Sequence, residues 1–106
     1  MPKYLFQGAL SQQGITGLRK EGGTGRRAAI EATITGAGGT VEAFYFAFGG
    51  TDVIVVADLP DNVAAGAVST SVSASGAGSM KTTVLITPEE MDRIASTEIA
   101  FRPPGA

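Results

Sequence analysis

The feature that most constrains the fold is a pair of strand-forming segments joined by two glycines. Val41 to Phe48 is rich in aromatic residues, and Thr51 to Leu59 contains a run of β-branched residues. Both compositions favour extended structure. Gly49 and Gly50 separate the two segments, and glycine adopts the positive φ angles of a tight turn without steric cost. The centre of the chain is therefore predicted to form a β-hairpin.

Further strand and helix patterns lie on both sides of the hairpin. Lys3 to Leu10 is predicted to form a first strand with apolar residues on both faces. Ser11 is placed to cap a short helix, and a second helix is predicted over Thr24 to Ala37, before two glycines. After the hairpin, Asp61 to Ser75 is predicted to be helical, and Met80 to Thr87 is predicted to form a fourth strand.

The end of the chain contains a helix start followed by an extended tail. Thr87 to Glu90 combines a threonine, a proline and a glutamate in the pattern of a capping box, which predicts a short final helix. Residues 98–106 are predicted to be extended, because they contain a Pro-Pro pair. This tail is either frayed, or its Ile99 and Phe101 dock on the domain or on a neighbouring subunit.

The order β-α-β-β-α-β over residues 1–97 is the split β-α-β pattern of ferredoxin-like domains. We therefore expect an α+β fold with a four-stranded antiparallel sheet. In this topology both crossovers place helices on one face of the sheet and leave the other face without cover. The first strand carries Tyr4 and Phe6 on one face and Leu5 and Ala9 on the other. The simplest cover for the bare apolar face is a second copy, which predicts a homodimer.

Composition excludes several classes of function. The chain has 106 residues and a net charge of −2, which predicts one domain without a strong field for nucleic acid or an anionic membrane. It contains no cysteine, histidine or tryptophan, so thiolate nucleophiles, histidine-dependent triads and the usual zinc, copper and haem ligands are excluded. We expect no metal and no cofactor. No signal peptide is evident, so a cytoplasmic location is expected.

Five segments together resemble a known family. They are Leu18–Gly23, Arg26–Ala29, Glu42–Gly49, Asp58–Asp61 and Thr87–Glu90. In this order, and over nearly the whole chain, they resemble the GYD-domain family of small bacterial proteins. The resemblance implies a ferredoxin-like, dimeric α/β-barrel fold and implies no activity. The family is named after a Gly-Tyr-Asp element, and the matching residues here are Gly50, Thr51 and Asp52, so this chain lacks that phenol.

The hairpin supplies the first candidate ligand-binding residues. With a two-residue turn, Tyr45 and Asp52 lie on one apolar face together with Asp58, and a turn one residue longer would move the aspartates to the other face. One interpretation is a pocket with a polar lining. The other, which we favour, places Asp52 in the turn, Asp58 at the cap of the next helix and Tyr45 in the core.

Glu42 is a further candidate, because it is a charged residue within an aromatic strand. Under the two-residue turn it shares a face with Phe44 and Phe46. A buried carboxylate at this place would suit acid–base chemistry. The alternative, which we favour, is a strand-end position where the carboxylate reaches solvent or an arginine.

A glycine-rich segment, Gly22 to Gly25, precedes Arg26 and Arg27 at the start of the second helix. Backbone N–H groups and two guanidinium groups could bind an anion there. The segment lacks the ending of a phosphate-binding P-loop and does not directly follow a strand. A flexible joint between helices, with an exposed arginine pair, is the favoured interpretation.

Three functions are consistent with these patterns. The first, which we favour, is a non-catalytic homo-oligomeric module that binds a small molecule or serves in a stress response. The second is a cofactor-independent small oxygenase or isomerase, in which Tyr45, Glu42, Asp52 and an arginine would supply the chemistry. The third is self-assembly into larger structures. The expected partner is a second copy through the bare sheet face, and neither nucleic acid nor membrane is expected.

Overall fold

The computed structural model describes all 106 residues. It is an α+β structure with four helices and a four-stranded antiparallel sheet. The elements, in chain order, are β1 (Lys3–Leu10), α1 (Gln12–Glu21), α2 (Gly23–Gly36), β2 (Thr40–Phe46), β3 (Val53–Asp58), α3 (Asn62–Ala74), β4 (Gly78–Leu85) and α4 (Pro88–Ser96). Every predicted strand and helix is present, with ends close to the expected residues.

The strands of the sheet lie in the order β2-β3-β1-β4, and each neighbouring pair is antiparallel. Helix α2 packs against β2, and α3 packs against β4. The two helices thus lie over the outer strands. The central strands β1 and β3 form the floor of the space between them.

Local sequence signals begin three of the helices. The side chains of Ser11, Asp61 and Thr87 each accept a hydrogen bond from the backbone N–H three residues further on. Glu90 completes the capping box, and the backbone N–H of Thr87, followed by its hydroxyl, holds the pKa of Glu90 below its usual value. Asp61 caps α3, so the expectation that Asp58 is the cap is wrong.

The hydrophobic core lies between the helices and one face of the sheet. It consists of eight buried residues: Tyr4, Phe6, Ile34, Val55, Ala57, Leu59, Ala65 and Val68. The hydroxyl of Tyr4 donates a hydrogen bond of 2.6 Å to the side-chain oxygen of Asn62, at the start of α3. The buried phenol therefore has a partner for its polar atom.

The opposite face of the sheet contains no buried residue. Its apolar members are Leu5, Ala9, Ala43, Tyr45, Ile54, Val56 and Leu85, and we call this surface the open sheet face. Tyr45 is 68% exposed, and the other six are half-buried. The expectation that Tyr45 fills the core is therefore wrong.

The register of the hairpin agrees with a two-residue turn. Tyr45 pairs with Ile54, and the last bond of the hairpin runs from the N–H of Ala47 to the carbonyl of Asp52 at 2.9 Å. Regular pairing stops before this bond, so both strands are shorter at the turn than predicted.

A β-bulge changes the register at the other end of the hairpin, between Val41 and Ala43. An extra residue in one strand reverses the faces of the residues beyond it. Val41 therefore pairs with Ala57 on the helix-covered face, and Glu42 reaches Lys3 on the open sheet face. The prediction that Glu42 shares a face with the phenylalanines is wrong, because it did not include the bulge.

Residues 86–106 form a segment that we call the C-terminal arm. No hydrogen bond or ion pair joins the arm to the rest of the protein. Its large apolar residues are all exposed: Ile86, Met91, Ile94, Ile99 and Phe101. The radius of gyration is 16.8 Å, against about 13 Å for a compact chain of this length. Ile99 and Phe101 are therefore not docked on their own domain.

Glycine at position 14 is required by a close approach between α1 and the end of α3. A Cβ atom on Gly14 would overlap the carbonyl oxygen of Ala77, whereas one on Gly17 would meet nothing. We expect Gly14→Ala to lower the free energy of unfolding by about 1–3 kcal/mol. Gly17→Ala, on the same helix, should raise it by up to about 1 kcal/mol. Urea unfolding of both variants measures the difference, and equal stabilities would contradict the close approach.

Candidate functional site

The candidate binding residues from the sequence do not form one site. Glu42 and Asp52 lie at opposite ends of the β2–β3 hairpin, about 16 Å apart along the strand direction. Arg26 and Arg27 lie in the first half of α2, and Tyr45 lies on the open sheet face. The fold distributes them over separate surfaces.

Glu42 belongs to an ion cluster at one end of the open sheet face. Lys3 Nζ lies 2.7 Å from Glu42 Oε2 and 2.9 Å from Asp58 Oδ1. The hydrogen bond to Glu42, followed by the one to Asp58, raises the pKa of Lys3 above its ordinary 10.5. Both carboxylates thus have a cation partner. The sequence offered no signal for this cluster, because its members are brought together only by strand pairing and the bulge.

Asp52 is held by the backbone of β1. Its Oδ2 accepts a hydrogen bond of 2.8 Å from the N–H of Leu10, and its own N–H donates to the carbonyl of Gly8 at 2.8 Å. These bonds continue the contact between β1 and β3 beyond the end of the ladder. The carboxylate therefore has a structural task at the turn.

Tyr45 and Arg27 line one shallow groove beside β2, with a volume of about 310 Å³. The ring of Phe46 forms part of it and lies close to Gly23. Arg27 pairs with Glu31 one helical turn on, with an Nε–Oε1 distance of 3.4 Å. These two are the only sequence candidates that line the same groove.

An apolar cleft lies between α2, α3 and the sheet, with a volume of about 260 Å³. Phe6 and Val55 form its floor, Ile30 lines it from α2, and Val68 and Val72 line it from α3. Sequence motifs did not indicate this cleft. The signal that could have found it is the scarcity of large side chains on α3, since small residues cannot fill the space above the central strands.

Arg26 is the only sequence candidate that lines the cleft. Its Nε and Nη2 donate to the carboxylate oxygens of Glu21 at 3.1 and 3.0 Å, and its side chain is 37% exposed. The glycine-rich joint between α1 and α2 makes this pairing geometrically accessible, because Gly22 has a φ of 86°. The guanidinium therefore stands where the cleft meets solvent.

These features define a class of protein: a small α+β domain with an apolar cleft under its helices and an uncovered apolar sheet face. The chain belongs to the GYD domain family, whose model matches residues 4–95. The resemblance seen in the sequence is thereby confirmed. No curated protein and no solved structure matches the chain. None of the four helices has the length and apolar character needed to cross a bilayer.

Thr51 follows the two glycines of the hairpin turn. It lines a shallow depression of about 370 Å³ that also includes Gln7 and Lys81. Gln7 and Lys81 are cross-strand partners that point to the open sheet face. A residue at this position therefore contributes to that face near the hairpin turn.

The Lys3 cluster predicts a stability change at high pH. Because the pKa of Lys3 is raised on folding above 10.5, its stabilising contribution is complete below that pH and is lost as the pH rises through the folded-state pKa. We expect Lys3→Met to be less stable than the parent at about pH 8, with the gap narrowing as the pH rises above 10.5. Urea unfolding below and above that pH tests this, and a gap independent of pH would contradict it.

Proposed function

We propose that the protein is a non-catalytic homodimeric module that binds a small molecule, built as a ferredoxin-like domain whose dimer forms an α/β barrel. The observation that carries the proposal is the open sheet face, which is apolar and contains no buried residue. The strand order β2-β3-β1-β4 and the common core beneath α2 and α3 support the ferredoxin-like assignment.

The open sheet face has the composition of a protein interface. Its centre contains Leu5, Ile54 and Val56, with no charged residue among them. Lys81 lies on the edge strand β4, and Lys3 is neutralised at one end by its two carboxylates. An apolar centre with charges at the border is the usual anatomy of a stable contact.

A second copy is the partner that suits this face. Soluble monomers rarely expose large continuous apolar patches, and a two-fold axis places the same patch against itself. The four-stranded face covers roughly 400 Å² in projection, from ordinary strand spacing and rise. A standard interface buries about 800 Å² per partner. The sheet therefore supplies about half of the area, and a second surface is needed.

The C-terminal arm supplies that second surface. Helix α4 has nine residues, fewer than the ~12–15 at which isolated helices become marginally stable. Its Met91 and Ile94 are exposed, and α4 has no extensive packing against another element of its own chain. The helix therefore depends on a contact that its own chain does not provide. We propose that the arm lies against the second copy and extends the interface.

The arrangement of polar groups supports a binding module over an enzyme. The groups that a cofactor-independent enzyme would use, Tyr45, Glu42 and Asp52, are separated along the hairpin. Glu42 is held by Lys3 and Asp52 by the backbone of β1. The cleft under the helices, by contrast, offers an apolar space of ligand size.

The dimer proposal predicts the effect of a charge at the centre of the open sheet face. We expect the parent protein to have twice the 10.7 kDa mass of one chain and Ile54→Asp to be monomeric, because a buried unpaired carboxylate opposes association. The control is Val63→Asp on α3, where the side chain is 79% exposed and dimerisation should persist. Light scattering after size exclusion gives the masses. A monomeric parent, or a dimeric Ile54→Asp, would overturn the proposal.

The arm makes a separate prediction. We expect Ile94→Ser to weaken the dimer by about tenfold or more, because a buried isoleucine contributes about 2 kcal/mol. Arg93→Ser, at the neighbouring position of α4, should have a smaller effect. Dissociation constants from analytical ultracentrifugation measure this.

In the monomeric Ile54→Asp background, Ile94→Ser should leave the urea midpoint unchanged, because no hydrogen bond, ion pair or extensive packing joins the arm to its own domain. A shift of that midpoint would show that the arm packs on its own chain, which contradicts the proposed exchange.

A further inference from the structure

We propose that the cleft between α2 and α3 binds a small carboxylic acid with an apolar ring, and that the ligand carboxylate faces Arg26. This inference deepens the proposed function, since it names the ligand class of a module proposed to bind a small molecule. It depends on the cleft alone and not on the dimer interface.

The volume of the cleft limits the size of the ligand. The cleft measures about 260 Å³, and an engineered apolar cavity of about 150 Å³ is known to bind benzene. The space therefore admits one six-membered ring with a short substituent. Drug-sized ligands and nucleotides generally occupy larger sites, of about 300–1,000 Å³.

The lining determines the character of the ligand body. Phe6, Val53 and Val55 of the central strands and Ile30, Val68 and Val72 of the helices present hydrocarbon to the space. Water in such a space has few hydrogen-bond partners. An apolar ring displaces that water and makes van der Waals contacts with the side chains of α2 and α3 that face the cleft.

The polar groups of the lining determine the head group. Four hydroxyl groups line the cleft, those of Thr33, Ser71, Ser75 and Ser79. All four are uncharged, and Thr33 and Ser75 donate their protons to backbone carbonyls at 3.1 and 2.6 Å. Arg26 is the only charged residue that lines the cleft. Glu21 engages its Nε and Nη2, and Nη1 makes no hydrogen bond within the protein.

A guanidinium carries five N–H donors, so Arg26 retains donors for a ligand acceptor. These remaining N–H donors form a charge-assisted hydrogen bond with a carboxylate, which is stronger than the bond to a neutral amide, and they offer no acceptor to an ammonium group. Because Glu21 already balances the charge of Arg26, a monoanion leaves one uncompensated negative charge and a doubly charged phosphate leaves two, so the monoanion fits this place better.

The first test compares three probes that share one ring and differ in head group: phenylacetate, phenylacetamide and 2-phenylethylammonium. Titration into ¹⁵N-labelled protein, followed by NMR, gives the affinities and the residues that respond. We expect phenylacetate to bind about tenfold more tightly than the amide and the ammonium compound to bind least. Shifts should appear at cleft residues. Equal binding of all three probes, or binding of none in the millimolar range, would overturn the proposal.

Arg26 and Glu21 provide the matched test of the head group. Arg26→Gln should abolish the preference for phenylacetate over the amide while amide binding persists. Glu21→Gln should retain or increase the preference, because it removes the competing negative charge and keeps an acceptor for the guanidinium. A preference that survives Arg26→Gln, or disappears in Glu21→Gln, would show that Arg26 does not receive the carboxylate.

Two variants test the location of the ring. Val72→Phe fills the cleft and should block phenylacetate binding, whereas Val63→Phe, the same change at an exposed position of α3, should not. Gly8→Ala fills a smaller part of the cleft, because it adds one methyl group to the lining. A Cβ there would be in ordinary van der Waals contact with Val53 and Met80, at 3.7 and 3.8 Å. It should weaken binding without disturbing the fold. Unchanged binding in Val72→Phe and Gly8→Ala would place the ligand elsewhere.

The same samples separate failure of this proposal from failure of the proposed dimer. Light scattering of each variant reports the dimer, and the titration reports the ligand. Loss of phenylacetate binding in Val72→Phe with the dimer intact supports the cleft assignment. A monomeric parent that still binds phenylacetate at cleft residues would remove the dimer proposal and leave the ligand proposal standing.

Discussion

The structure depends on one constraint: the core helices pack on a single face of a four-stranded sheet. Tyr4, Phe6 and Val55 are buried beneath them, while alternate residues of the same strands point to a face without cover. In this topology, a strand that is apolar on both sides can bury only one of its two faces within its own chain. The open sheet face follows directly, and the proposal of a second copy rests on it.

A second consequence concerns the space between the helices. Because α2 lies over β2 and α3 lies over β4, the central strands remain covered only in part. The core of one protomer is small, with eight buried residues, so each protomer gains little stability from its own burial. Association and ligand binding would both stabilise the folded state by linkage. Under the proposed function, assembly, binding and stability would thus be connected through the same incomplete burial.

Much of the fold could be predicted because its signals are local. The turn between the hairpin strands, the Ser11 cap and the Thr87–Glu90 capping box each involve residues within a few positions of one another, where steric and hydrogen-bonding preferences act without help from the rest of the chain. The alternation of β1 likewise assigned its two faces. Alternation gave the wrong sheet face for Glu42, because a β-bulge depends on how two strands pair and has no clear signal in the sequence of either strand.

The sequence by itself determined the elements, their order, the family and the presence of two apolar faces on the strands. The tertiary structure decided which groups meet. Strand pairing brings Lys3 next to Asp58. The backbone of β1 donates a hydrogen bond to the Asp52 carboxylate. The separation of α2 from α3 leaves the cleft beside Arg26. The physical reason is range. Helix caps and turns are set by neighbours in the chain, whereas the ion pairs of Lys3 and the walls of the cleft depend on residues far apart in the chain, whose meeting is fixed by the packing of the whole domain.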